Sequence, residues 1–366
     1  MADLEDKFYL ATLNRVPRVG SVELLKLMKG FGSAKKIWLA TAEELSIKGN
    51  MKESLISSLT AFRAKNKNLP EEIFSSTTKL DIELISIYDE LYPINLKEIF
   101  NPPMVLFYKG TIVRDAVRIA MVGSRRFTPY GEGIALEFGK KLAAAGVTVI
   151  SGGARGIDTA SHKGALKSGR TVAVLGSGID VVYPSENKRL FENIASSGGA
   201  VISEYCPGTK PLPAFFPARN RIIAGLSSGV LVVEAAKRSG SLITAELALS
   251  EGRDIFAVPG SIYSATSYGT NLLIQRGAKL VKEPRDILEE YNLAEQEPPR
   301  KTIKLDGDEL KVYQVLSFEH PLSLDEIIIS LDGIEISNLA FLLMQLVLKG
   351  LIIETDLHTY RRAERE

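Results

Sequence analysis

The sequence predicts an α/β protein built around a mostly parallel sheet covered by helices on both faces, with a small helical module before it and a small mixed module after it. Three observations carry this. Between residues 79 and 291, short apolar runs rich in β-branched residues alternate with helix-length amphipathic stretches. Before residue 79 the pattern is helical, with glycine and polar joints. After a polar stretch containing Pro298 and Pro299, three helical patterns and one strand pattern close the chain. Continuous apolar strands separated by amphipathic helices indicate a parallel sheet buried on both faces, which is the Rossmann-like, doubly wound arrangement.

In the segment 1–78, Ser21 opens a run with apolar Val22, Leu24, Leu25, Leu27 and Met28, which Gly30 and Gly32 break. Ser33 restarts a helix around Ile37 and Trp38. Thr41 caps another leading to Leu45, and with Glu44 it fits a capping box. Helix, glycine turn, helix at this spacing resembles a SAM-like or helix-hairpin-helix module, although any small helical bundle produces the same pattern.

The segment 79–291 supplies the sheet. Expected strands are Ile119–Val122, Val147–Ile150, Thr171–Leu175, Ala200–Ser203, Val230–Val233, Ile255–Val258 and Lys279–Val281. Ile82–Ile87 and Met104–Tyr108 lead into the sheet or add to its edge. Tyr130–Ala145 places Ile134, Phe138, Leu142 and Ala145 on one helix face, and Ser241–Glu251 is a second helix. Residues 292–306 read as a linker. In 307–366, helices over Glu309–Ser317, Ser323–Ser330 and Ser337–Lys349 followed by a strand at 350–353 outline a winged helix. Such modules often read DNA through their third helix. Here that helix is largely apolar with one lysine, which favours a protein-contact or packing role.

Composition narrows the class. The chain has 366 residues, room for two or three domains, and ordinary hydrophobic (45%) and charged (24%) fractions. No apolar run approaches the ~18 residues of a membrane span, and the acidic, mixed N-terminus does not read as a secretory signal. Cys206 is the only cysteine, so an internal disulfide and a multi-cysteine zinc site are excluded and a reducing, cytoplasmic setting is the expectation. Net charge is +1, but it is unevenly spread. Residues 1–78 carry 12 basic and 9 acidic side chains, and residues 307–366 carry 5 and 11, which leaves +4 on residues 79–306. A polyanion surface is therefore expected on the body, not on the tail.

In a doubly wound sheet ligands bind at the carboxyl ends of the strands. Those ends here read Gly123-Ser124-Arg125-Arg126, then Ser151-Gly152-Gly153-Ala154-Arg155-Gly156-Ile157-Asp158, then Gly176-Ser177-Gly178 leading to Tyr183-Pro184 with Lys188 and Arg189 beyond. Glu234 with Arg238-Ser239-Gly240-Ser241, and Pro259-Gly260-Ser261, complete the edge. Glycines allow close backbone approach, and helix N-termini attract anions. One such loop is an ordinary tight turn. Several on one edge, most with basic residues in or soon after them, suggest an extended anion such as a polynucleotide. The densest basic stretch is Phe215-Phe216-Pro217-Ala218-Arg219-Asn220-Arg221, where aromatics precede an Arg-Asn-Arg that opens a helix. Single-strand binders combine a positive groove with stacking surfaces. The alternative is that the phenylalanines are core and the arginines pair with Glu204 or Glu234.

Other chemistries fare worse. The G-x-G-x-x-G fingerprint should follow the first strand, where GSRR stands instead, so no nicotinamide or flavin cofactor is expected. No Walker A sequence is present. Histidines are limited to His162, His320 and His358. Asp158 and His162 share a helix face, but the neighbouring Ser161 points elsewhere. Asp158 is read as a cap or loop-ordering residue and His162 as structural. Glu204, Glu234 and Glu246 form an acidic site or order the arginines, and no metal cluster is visible.

The ordered motifs MVGSRR, SGGARGIDTASHKGAL, VLGSGIDVVYPSENKRL, ISEY, FPARNRIIAGLS, RSGSLITAELAL and AVPGSI resemble the DNA-processing protein A family, also called DprA or Smf, across residues 80–290. The resemblance implies an extended Rossmann fold, no enzymatic activity, homodimerisation, and a role in natural transformation: binding and protecting incoming single-stranded DNA and loading RecA recombinase onto it. It implies DNA contacts at Gly123, Ser124 and Arg125, at Gly152 and Gly153, in the basic segment after Tyr183-Pro184, and at Arg219, Asn220 and Arg221. Arg126, Arg155, Lys188, Arg189 and Phe216 join this set from the residue-level reading. Family members often carry lysine directly after the Tyr-Pro pair, where this chain has Ser185, so Lys188 or Arg189 is expected to substitute. The implied dimer contact lies near Asn271–Val281, with Asn271, Leu272, Ile274 and Leu280 available. Two competing readings are a Rossmann-fold nucleotide phosphoribohydrolase, whose PGG-x-GT signature is broken here at Ser261, and a protein-only scaffold that contacts RecA without DNA affinity.

Overall fold

The structure is a computed structural model that describes residues 4–112, 117–293, 305, 307–317, 321–331, 336–356 and 358–363. Two compact units result, Met1–Gln296 and Glu297–Glu366. The expected linker at 292–306 lies, apart from residues 292, 293 and 305, outside the described residues, as does His320.

The first unit begins with six helices: α1 (Leu4–Leu13), α2 (Ser21–Phe31), α3 (Ala34–Leu39), α4 (Ala42–Ile47), α5 (Glu53–Lys65) and α6 (Leu69–Lys79). Local chemistry sets their ends. Gly32 closes α2 with φ +71°, the Ser33 hydroxyl accepts from Lys36 N–H to start α3, and Thr41 and Glu44 form the expected capping box on α4. Asp6 on α1 ties the α3 start down further, its carboxylate accepting from the Ala34 N–H (3.0 Å) and the Lys35 N–H (2.9 Å).

The sheet follows: β1 (Glu83–Ser86), α7 (Ile94–Lys97), β2 (Val105–Gly110), β3 (Arg118–Val122), α8 (Pro129–Ala144), β4 (Thr148–Ser151), α9 (Ile157–Ala165), β5 (Thr171–Leu175), α10 (Lys188–Ser196), β6 (Ala200–Ser203), α11 (Phe215–Leu226), β7 (Gly229–Val232), α12 (Gly240–Ser250), β8 (Asp254–Ala257), α13 (Tyr268–Gln275), β9 (Lys279–Leu280) and α14 (Arg285–Leu288). The nine strands lie in the order β1-β2-β6-β5-β4-β3-β7-β8-β9. From β6 to β9 all pairings are parallel. The β1–β2 hairpin adds antiparallel to β6 at one edge, the place expected for these two segments.

Burial explains why the parallel strands read as unbroken apolar runs. Ile119, Met121, Val149, Leu231 and Val233 point into one core beneath α8 and α9. Their chain neighbours Ala120, Val122, Ile150, Val230 and Val232 point into the other, which is continuous with the N-terminal helices. Alternate side chains thus face opposite layers and both layers are dry.

The strand order reverses between β3 and β7. The chain steps from β3 through β4 and β5 to β6, then crosses back beside β3 to continue through β7, β8 and β9. The loops after β3 and β7 flank this switch point, where doubly wound proteins place their ligands.

The second unit holds α15 (Gly307–Val315), α16 (Leu324–Ser330) and α17 (Ile336–Leu348) with an antiparallel sheet of β10 (Leu322–Ser323), β12 (Thr359–Arg362) and β11 (Ile352–Asp356). Val312, Leu316, Ile327, Leu339, Leu343, Leu346 and Ile352 form its core. Among the described residues no helix is long and apolar enough to cross a membrane.

Candidate functional site

The glycine loops gather at the carboxyl edge, but, Gly240 excepted, their glycines face protein. A Cβ on Gly123 would sit 2.7–2.8 Å from the Ile157 side chain, so this glycine lets α9 dock against the end of β3. A Cβ on Gly152 would collide with the guanidinium of Arg219, and Gly153, at φ +62°, leaves room for the Phe191 ring. The loops are therefore shaped first by packing, and any ligand contact comes from their backbone and basic side chains.

The predicted arginine pair on α11 turns inward. Pro217 falls in the first turn of α11, where its missing N–H costs nothing, so the helix begins at Phe215 and not at the Arg-Asn-Arg. Arg219 then lies inside, 4% exposed. Its Nη1 donates to the carbonyls of Gly152 (2.6 Å) and Val174, bracing the ends of β4 and β5. Burial lowers its pKa to about 10, and Asp158 nearby partly offsets this. Burial likewise raises the Asp158 carboxyl, against the pull of Arg219. Arg221 points to the other side and pairs with Glu204 (2.7 and 2.8 Å). Asn220, half-buried, approaches the Gly240 carbonyl at 3.4 Å. The resemblance implies DNA contact for both arginines and the residue-level reading leaves pairing with Glu204 or Glu234 open; here each has an internal partner.

What remains at the surface is an aromatic and basic cluster. The Arg125 guanidinium lies 5.5 Å from the centroid of the Phe216 ring, and Tyr183, 44% exposed, lies against the same ring at 5.4 Å. Ser124 shapes the loop, donating to the Arg126 carbonyl (2.6 Å) while accepting from its N–H (3.1 Å). Arg155 forms a two-pronged, exposed pair with Glu186 (2.5 and 2.8 Å), joining the second loop to the segment after Tyr183-Pro184. Arg126, Lys188, Arg189 and Arg238 are exposed and make no ion pair among the described residues. Tyr183 is absent from the predicted set, as is Lys237, whose Nζ lies 5.6 Å from the Tyr268 ring. Only position on an edge loop marks either in the sequence.

The switch point itself is filled by protein. Glu234, 2% exposed, accepts from the Thr128 N–H (3.0 Å) and hydroxyl (2.5 Å) at the start of α8. The Thr128 oxygen in turn accepts from the Gly131 N–H (3.1 Å), and the Thr266 hydroxyl reaches the same carboxylate at 3.3 Å. The Glu234 carboxyl group and the Thr128 cap it holds thus stand at the start of α8, where a nucleotide phosphate would otherwise sit. Glu204, Glu234 and Glu246 do not converge: the first pairs with Arg221, the second holds Thr128, the N-cap of α8, and the third lies exposed on α12.

The Asp158–His162 face carries no nucleophile. The Ser161 hydroxyl donates to the Ile157 carbonyl (2.8 Å). The Thr171 hydroxyl donates to the Val149 carbonyl (2.7 Å), so the His162 Nδ1, 2.6 Å from that oxygen, must be the donor. Nε2 is then unprotonated, buried and without a partner. Burial, reinforced by Arg219, lowers the His162 pKa to about 3. The helix cap is Gly156; Asp158 orders the loop instead, accepting from the Ala154 N–H (3.3 Å). Among the described residues no group of three or more His, Cys, Asp or Glu is placed to hold a metal ion.

Residues 83–292 match the family model described as DNA recombination-mediator protein A. The DNA processing protein DprA of Streptococcus pneumoniae is 50% identical over 208 residues, 56% of this chain and 73% of that protein. Protein Smf of Synechocystis is 36% identical over 294 residues, 79% of this chain and 73% of its own. Among solved structures, the S. pneumoniae DprA superposes with a TM-score of 0.67 at 37% identity, covering 79% of this chain and 99% of the other. A structure of DNA processing protein A from Helicobacter pylori, described by its single-stranded DNA binding mode, superposes with a TM-score of 0.51 at 28% identity, covering 58% and 95%.

Proposed function

The chain belongs to the DNA recombination-mediator protein A family, that of the DprA and Smf proteins, and from that premise we propose that it binds single-stranded DNA along the carboxyl edge of its sheet. The observation that carries this reading is the Arg125–Phe216–Tyr183 cluster beside exposed cations without ion-pair partners. Cations beside open aromatic faces suit a flexible strand whose bases can stack while its phosphates are neutralised. Arg125 and Arg126 hold the strand at the loop after β3, and Lys188 and Arg189 take the place of the lysine expected at Ser185. Arg155 contributes once it leaves Glu186. Arg219 supports the site from within, with Asp158.

The same reading makes the protein a non-catalytic, cytoplasmic mediator that protects incoming DNA during transformation and loads RecA. It acts as a homodimer through β9 and α13, where Leu280 is 42% exposed on an edge strand and Leu272 and Ile274 are half-buried. Asn271 is less available, since its side chain bonds both polar groups of Gly260 (3.2 and 3.0 Å). Helices α1 to α6 serve as a SAM-like or helix-hairpin-helix-like module. The second unit serves as a winged-helix-like module for protein contact, consistent with Phe341, Met344 and Leu348 exposed along α17. The nucleotide hydrolase alternative gains no support, because Glu234 already fills the switch point.

Anisotropy titration with oligo-dT and with a matched duplex tests the central claim. Single strands should bind more tightly, and Arg125→Ala should weaken them by about 1–3 kcal/mol, the scale of a charge-assisted contact. Equal affinity for both substrates, or no loss in the variant, refutes it.

A further inference from the structure

The loop after β8, residues 258–267, is firmly held yet displays two apolar side chains to water. Ile262 is 83% exposed and Tyr263 is 92% exposed. Inside the loop the Ser264 N–H donates to the Ser261 carbonyl (3.0 Å), the Tyr263 N–H to the Ser261 hydroxyl (3.2 Å), and the Ser264 and Thr266 hydroxyls meet at 2.9 Å. Outside it the Tyr130 hydroxyl donates to the Pro259 carbonyl (3.1 Å) and the Ala235 N–H to the Thr266 carbonyl (2.7 Å). These ties hold the loop in a shape that leaves the Ile262 and Tyr263 side chains in water. An apolar surface held out in this way marks a contact site.

Its surroundings indicate what covers it. The edge loops after β3, β7 and β8 carry Arg125, Arg126, Lys237 and Arg238, all exposed, and one acid, the buried and internally bonded Glu234. No free carboxylate faces the patch from these loops. An isologous contact between two copies centred here would set Lys237 and Arg238 against their own counterparts, whereas a polyanion is attracted. Aromatic faces beside cations hold bases and phosphates together.

We propose that Tyr263 and Ile262, with Lys237 and Arg238, form a second base-stacking station for single-stranded DNA, across the switch point from Arg125, Phe216 and Tyr183. One strand then runs from the β5 loop over the start of α8 to the β8 loop. That path crosses four strand spacings, about 19 Å, which is the span of several nucleotides. This inference rests on the single-stranded DNA reading of the carboxyl edge.

Oligo-dT of about 2 nucleotides, too short to span two stations about 19 Å apart, and of about 20 nucleotides, longer than the site of such grooves, separates the two ideas. Tyr263→Ala should weaken the longer oligonucleotide about 5- to 150-fold, the loss of one stacked base, and leave the shorter one unchanged, while Tyr263→Phe restores binding. Tyr263→Trp should be quenched by the longer oligonucleotide only, against the constant background of the buried Trp38. Unchanged affinity of Tyr263→Ala for the longer oligonucleotide overturns the proposal, as does an equal loss for both lengths. A DNA-independent fall in oligomeric state on sedimentation also overturns it and assigns the loop to contact between copies. Arg125→Ala tests the underlying reading separately: if both oligonucleotides bind it as well as wild type, that reading fails whatever Tyr263 does.

Discussion

Replacing Arg219 with methionine should loosen the fold far more than it disturbs DNA binding. Methionine keeps much of the length and apolar bulk of the side chain. It removes the charge-assisted bonds to the Gly152 and Val174 carbonyls and a nearby positive charge that favours the ionised form of Asp158, itself 8% exposed. Losing one charge-assisted bond to a buried carbonyl costs about 1.5–3 kcal/mol. Urea unfolding followed by circular dichroism should therefore show a loss of about 3 kcal/mol for the two bonds together. In a double-mutant cycle with Asp158→Asn the two losses should fall short of additivity by about 0.5–1 kcal/mol, because the two charges influence each other without direct contact. Under folding conditions oligo-dT affinity should fall less than in Arg125→Ala. Stability within about 0.5 kcal/mol of wild type, together with a DNA-binding loss equal to that of Arg125→Ala, would refute the reasoning and place Arg219 on a phosphate.

Arg125→Ala should also flatten the salt dependence of oligo-dT binding by about 0.7 in log–log slope for each phosphate it leaves unneutralised, measured by anisotropy across a salt series. His162 is neutral in the folded protein and takes a proton on unfolding below its ordinary pKa of 6.5; its contribution is thus complete above 6.5 and declines as pH falls toward about 3. Wild type should lose about 1.4 kcal/mol more per pH unit below 6.5 than His162→Gln, and parallel urea profiles for the two would contradict this. Burial pushes the Cys206 thiol up to about 11, so Ellman's reagent at pH 8 should label it slowly in the native protein and at once in urea. Gly123→Ala sets a Cβ 2.7–2.8 Å from Ile157 and should lower stability by about 1–3 kcal/mol, as other overpacked cores do, read from the same unfolding curves.

The sheet is legible in the sequence because its signals are local. Thr171–Leu175 and Ala200–Ser203 match the expected strands to the residue and the other parallel strands match to within one, since the central ones are short apolar runs buried on both faces. Thr41 and Glu44 cap α4 through contacts only three residues apart. The edge loops and their cations follow from strand order alone. Arg219 and Arg221 show where such reading stops. Residues two apart on a helix face different ways, but which one meets Glu204 and which one enters the sheet depends on segments far away in the chain. Internal partners for these arginines are an open alternative in the sequence, and only tertiary packing chooses it.

Glu234 and Tyr263 mark the same boundary. By itself the sequence determined the layer order, the family, the basic body with its acidic tail, and the edge on which a ligand would lie, because hydrophobic period, turn residues and motif order are written along the chain. Tertiary structure alone decided that a carboxylate fills the switch point, that the glycines make room for Ile157, Arg219 and Phe191, and that Tyr263 is held out in water. These depend on the approach of groups tens of residues apart, and their separation is set by the packing of layers rather than by any pattern within one.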